Sequence, residues 1–214
     1  RVALSGEKPI HALTERGVEY IEVRNTDINP LLPLGIDQQQ ADFLDAFLVT
    51  CLLSDPSEIS DQECNLINQN NDLVVNRGRE PGLTLTREEQ QISVVDWGSQ
   101  ILNDVAKTAL LMDQIDNSSR FSDAVTAQRT KLADPSLTPS ARILEQMKQQ
   151  GLSYEAFALQ QSRIHRAAMS STSLPAEQQS YLEQMSSSSI EEQAQIEISD
   201  NQDFDSYLQD YLVQ

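Results

Sequence analysis

Residues 17–24 read GVEYIEVR, the one clear alternating stretch in a chain whose other patterns are helical. Successive side chains of a strand point to opposite faces. Ile21 and Val23 therefore fall on one side, and Tyr20, Glu22 and Arg24 on the other. The alternation predicts a strand over 18–24, and that prediction constrains the fold. A single strand leaves its backbone N–H and C=O groups without ladder partners and does not stand alone. Its neighbours are expected upstream of Arg1, in a longer protein of which this chain is a piece. The opening RVALSGEKP, with Arg in place of Met and no targeting pattern, carries the same expectation. The polar strand face is either an ordinary solvated surface or one wall of a site that handles charge.

Helix signals fill most of the remainder. KPIHALTER, residues 8–16, reads as a short helix stopped by Gly17. NTDINPLLPLG, residues 25–35, is an irregular loop, in which Asp27 and Asn29 are expected to make local turn hydrogen bonds. Asp37 caps a helix running to about Leu53, with Phe43, Leu44, Phe47, Leu48 and Cys51 on its inner face and Cys51 a small buried hydrophobe. Ser60 and Glu63 form a capping-box pattern for a helix to about Asn76. A short extended piece follows over 82–86, and the pattern over 86–93 fits neither state. Residues 94–116 read as one long helix with Val95, Leu102, Val105, Ala109 and Met112 inward, and Ser122–Ala133 continues helical. Thr138, Pro139 and Gly151 bound another helix, and Ser153 starts the next, to about Met169. Helices are expected at 176–185 and 203–212, with SSTS (170–173) and SSSS (186–189) as interruptions.

The fold class expected is therefore a mainly α piece of a longer α+β protein, with one or two strands (18–24 and 82–86). Three segments are expected: 1–85 with the strand and its supporting helices, 86–169 as a helical shell, and 170–214 as an acidic, Ser-rich tail able to stay mobile. No Lys or Arg occurs after Arg166.

The formal net charge is −18. Such a chain repels phosphate backbones and anionic lipid, so no nucleic-acid or membrane partner is expected. An anionic substrate would need local arginines or bridging metal. No apolar run approaches the ~20 residues of a membrane span. Two cysteines, Cys51 and Cys64, make no disulfide framework. His11 and His165 have no His or Cys at metal spacing, and there is no phosphate-binding glycine loop or nucleophile elbow. Glu22 and Arg24 remain. A carboxylate on an ordered strand is a hard oxygen ligand for Mg²⁺. A guanidinium two residues on can grip a phosphate or acyl-phosphate oxygen with two N–H groups.

Residues 5–53, with GVEYIEVR, DINP, GID-QQ and FLD-F at their spacing, closely resemble the bacterial glutamate–cysteine ligases of the proteobacterial type. PGLTL at 81–85 and SARIL at 140–144 are similar at the expected distances; the resemblance is specific to about residue 85 and patchy to about 150. It implies the C-terminal portion of an enzyme that joins the γ-carboxylate of glutamate to the amine of cysteine through γ-glutamyl phosphate. ATP and Mg²⁺ are the implied co-substrate and metal, and ATP, glutamate and cysteine the small-molecule partners. The implied fold is a glutamine-synthetase-like curved sheet wrapped by helices, and the implied location is the cytoplasm. In the family's pattern Glu22 resembles the Mg²⁺ ligand that bridges to the nucleotide phosphates. Arg24 resembles the catalytic, ATP-binding contact to the transferred phosphoryl group. The chain alone is then expected to be inert. One competing reading is an acidic helical interaction module without catalysis. Another is a related ligase with a different amine acceptor.

Overall fold

Capping residues set the helix boundaries in the computed structural model, which describes residues 7–55, 58–88, 90–171 and 173–213. Ser5 and Gly6 of the resembling segment and Thr172 of the run 170–173 lie outside these residues. Among the described residues the helices are α1 (Pro9–Arg16), α2 (Gln38–Leu53), α3 (Asp61–Arg77), α4 (Val94–Asp116), α5 (Arg120–Ala133), α6 (Pro139–Gln150), α7 (Tyr154–Ser170), α8 (Ala176–Ser199) and α9 (Phe204–Val213). A 3-10 turn spans Pro135–Leu137. The expected side-chain caps are present. Asp37 accepts from the Gln40 amide at 2.8 Å, Ser60 from Glu63 at 3.2 Å, Thr138 from Ala141 at 3.4 Å and Ser153 from Ala156 at 3.3 Å. Each satisfies a donor that the first turn of a helix leaves open.

Residues 28–167 form one compact unit. Its core is the contact of α2, α4 and α5, where Ala46, Leu102, Val105, Ala109, Phe121 and Val125 are buried together. Phe43, Phe47, Met112 and Leu132 pack against them. Burying side chains of this size stabilises by about 1.5–3 kcal/mol each. The helices approach closely because Gly98 faces Leu132: a Cβ there would lie 3.0 Å from both Leu132 methyls. Thr108, inside the same contact, accepts from the Thr50 hydroxyl at 2.8 Å, so its polar group is not left unpaired. Phe157 of α7 is fully buried in this unit.

The two strands β1 (Thr84–Arg87) and β2 (Gln90–Ser93) form an antiparallel hairpin, pairing Thr84 with Ser93 and Arg87 with Gln90. The extended piece expected over 82–86 thus forms, and part of the stretch of unassigned pattern is its partner. Asn70 of α3 clips the hairpin edge. Its side-chain amide donates to the Thr86 carbonyl at 2.7 Å, and its carbonyl accepts from the Thr86 amide at 2.9 Å. A low-propensity residue in the helix is therefore explained by the edge strand it satisfies. Asn70→Ala is expected to cost about 1–2 kcal/mol by leaving both Thr86 groups short of a partner. Urea unfolding would measure it, and amide exchange at Thr86 should accelerate.

Several expectations are corrected. Residues 18–24 carry no strand, and residues 18–27 make no backbone hydrogen bond to another described residue. Alternation prepares two faces, but a ladder needs a second chain segment alongside. Cys51, at the far end of α2, is exposed, as is Val95 at 52% in the first turn of α4, where the apolar stripe is not covered by a neighbouring helix. The 186–189 serine run does not interrupt a helix. It lies within α8, where the Ser187 hydroxyl donates to the Glu183 carbonyl at 3.1 Å, a bond that keeps serine inside a helical turn.

The residues up to Asp27 and those from Ala168 onward make the second unit. Within it Arg16 grips Glu7 with two N–H groups at 2.8 and 2.6 Å. The Lys8 ammonium lies 5.3 Å from the centre of the Tyr211 ring, which stacks on Tyr207. No described helix is long and apolar enough to cross a membrane.

Candidate functional site

Glu22 and Arg24 meet in the segment after α1. Their side chains emerge on the same side, two residues apart, and Arg24 Nε donates to Glu22 Oε2 at 2.6 Å. Arg24 Nη2 is ion-paired to the same oxygen. Both groups are open to solvent, with side-chain exposures of 84% for Arg24 and 48% for Glu22. The pair sits between Gly17, which ends α1, and the loop that begins at Asn25. Ile21 and Val23 are exposed among the described residues. Tyr20 is exposed as well.

The DINP loop is ordered by its own turn residues. Asn29 Oδ1 accepts from the Leu31 amide at 3.0 Å, the local bond expected of it, and the Asn29 amide donates to the Gly35 carbonyl at 2.9 Å. Gly35 has φ +75°, and a Cβ there would stand 2.6 Å from an Ile28 methyl. No larger residue fits that turn without displacing Ile28. His165 of α7 fastens the loop from a distance: its Nε2 lies 2.9 Å from the Pro30 carbonyl oxygen. The histidine that offered no metal partner in the sequence has a backbone carbonyl as its partner.

Two buried carboxylates hold the helices of the compact unit. Asp42 of α2, 2% exposed, accepts from Arg120 Nη1 at 2.5 Å and from the Gln38 side chain at 2.9 Å. Arg120 also donates through Nε to Asp116 at 2.7 Å. Asp113 accepts from the Phe121 and Ser122 amides at 3.0 and 2.9 Å, which are first-turn donors of α5. Burial pushes the Asp113 carboxyl up, but the donors of Ser122, Phe121 and Ser118 outweigh it and hold the group below the usual carboxylate range. These carboxylates are engaged in holding helices together. Among the described residues no group of three or more His, Cys, Asp or Glu side chains is arranged to hold a metal ion.

The glutamate–cysteine ligase family model matches residues 1–74, the segment that contains both Glu22 and Arg24. The glutamate–cysteine ligase of Pseudomonas paraeruginosa is 46% identical over 211 residues, which cover 99% of this chain and 40% of that protein. That of Pseudomonas fluorescens is 43% identical over the same length. A solved glutamate–cysteine ligase from Francisella tularensis, in complex with AMP, superposes with a TM-score of 0.88 at 31% identity, covering 99% of this chain and 41% of that one. Over nearly its whole length the chain is similar to glutamate–cysteine ligases.

The chain spans about 40% of the length of the curated ligases it matches. The likeness reaches beyond the region where family motifs are readable, taking in the acidic stretch after Arg166 as well. That stretch, open on composition alone to reading as an interaction tail, aligns with the ligases along with the rest. Glu22 and Arg24 are an exposed acid–base pair within the segment that the ligase model matches. The Asp42–Arg120–Asp116 network and the Asp113 cap were not legible as partners. Only the isolated arginine before Phe121 and the aspartates three residues apart hint at them.

Proposed function

We propose that this chain is part of an ATP- and Mg²⁺-dependent ligase that joins glutamate, through its γ-carboxylate, to cysteine. In that reaction a γ-carboxylate oxygen attacks the terminal phosphorus of ATP and ADP leaves. The cysteine amine then attacks the acyl carbon, the C–O bond to phosphate breaks, and the amine loses a proton. The observation that carries the reading is the solvent-open Glu22–Arg24 pair within the segment matched by the family.

Arg24 would hold oxygens of the phosphoryl group in transfer. Its planar fork matches two oxygens at once, and its charge opposes the negative charge spread over them in the transition state. Glu22 fits a role as one ligand of Mg²⁺. A half-exposed carboxylate is a hard donor, and this ion is commonly held by one or two carboxylates together with substrate phosphates. Bound there, the ion would supply charge neutralisation at the phosphates. The division into a catalytic segment to residue 85, a helical shell to 169 and a tail belongs to the same proposal, as does a cytoplasmic location.

The test is Glu22→Gln in a ligase of the relatives' full length that carries this segment. The expected result is a several-fold higher Mg²⁺ concentration for half-maximal rate, since a neutral amide is a weaker ligand than a carboxylate. It is read from initial rates of ADP release across a Mg²⁺ series at saturating substrates. An unshifted Mg²⁺ dependence would take Glu22 out of the metal site.

A further inference from the structure

The turn after α3 and the outer face of α6 enclose a groove of about 720 Å³. Arg79, Arg142 and Lys148 line it with Ser136, Leu144 and Glu145, all of them within the unit 28–167. Three of its lining residues are cations without a carboxylate partner, a state shared by Arg163 and Arg166 of α7 among the described residues. Elsewhere in the described chain Arg16, Arg24, Arg77, Lys107 and Arg120 each pair with a carboxylate, and Arg129 bonds Asn103 at 2.8 Å. Arg79, Arg142 and Lys148 make no ion pair or side-chain hydrogen bond with a described residue, although the chain carries a net charge of −18 and acidic side chains abound. The one carboxylate at the groove, Glu145, takes its hydrogen bond from Gln149 at 2.8 Å.

Three like charges lining one open groove repel one another, and a ligand of opposite sign relieves that repulsion. Two guanidiniums and an ammonium suit a chain of phosphate oxygens: the forks take oxygens in pairs and the lysine adds a point charge. The volume is that of a small-molecule site. We propose that this groove binds a condensed phosphate, free or as the tail of a nucleotide, through Arg79, Arg142 and Lys148.

Sodium tripolyphosphate, titrated into the 214-residue chain in Mg²⁺-free buffer and followed by amide NMR shifts, tests this. The expected result is saturable movement of the amides of Arg79, Ser136 and residues 142–148. Arg142→Gln with Lys148→Gln should weaken binding about tenfold. Glu145→Gln should tighten it several-fold, an opposite sign that loss of structure cannot produce. ATP binding more tightly than tripolyphosphate at these amides assigns the nucleotide as the source; equal binding assigns the free polyphosphate. Absence of saturation, equal shifts at Arg163 and Arg166, or unchanged affinity in the double variant would overturn the proposal.

Discussion

Arg24→Ala, made in a ligase of the relatives' full length, is expected to lower kcat by about 10²–10³-fold with a much smaller change in the KM for cysteine. The reasoning starts from position. The Arg24 side chain is 84% exposed, and among the described residues its partner is Glu22 two residues away. Removing it should leave the fold untouched, so the loss falls on chemistry. A contact made strongest to the transferring phosphoryl group lowers kcat when it is deleted, because binding of the ground state never used it fully. Arg24→Lys should recover part of the rate, since the charge remains and the two-pronged geometry does not. ADP release in steady state measures both. An unchanged kcat in Arg24→Ala would remove the residue from the reaction, while unfolding of the variant would show that its role is structural.

The largest expected effect on stability is at Asp113. Asp113→Ala should cost about 2–3 kcal/mol and lower Tm by roughly 5–10 °C, because it strands first-turn donors of α5 against a site only 7% exposed. Asp113→Asn should fall between, since it keeps a single acceptor oxygen. The pH dependence has a definite sign. The folded carboxyl titrates below its ordinary range, so the unfolded chain binds the proton more readily. The contribution is then complete above the ordinary carboxylate pKa of about 4 and is lost as pH falls through the lower folded value. Urea melts of parent and Asp113→Ala should differ constantly near neutrality and converge in acid. A difference that holds at every pH would mean the charge of Asp113 contributes none of the stability.

The elements readable from the sequence share a length scale. Asp37, Ser60, Thr138 and Ser153 were recognisable as caps because each bonds an amide three residues ahead. Glu22 and Arg24 were read as sharing one face of a strand; that strand does not form, and the two side chains meet as a local ion pair. The inner face of α4 was readable at Leu102, Val105 and Ala109, and misread at Val95. Periodicity locates a stripe; where the neighbouring helix ends decides how much of it is covered. Cys51 was misread in the same way at the far end of α2. The hairpin was half legible, because β2 reads QQIS, with too little alternation to show itself before β1 lies beside it.

What the sequence by itself determined is the set of helices and their starts. All of these rest on contacts within about a helical turn. Tertiary structure alone decided that Thr50 meets Thr108, that Asp42 meets Arg120, and that His165 holds the carbonyl of Pro30. Those partners are 58, 78 and 135 residues apart. No local pattern encodes such pairs, because a buried polar group needs some partner of the right chemistry, and only the packing of helices determines which one is within reach.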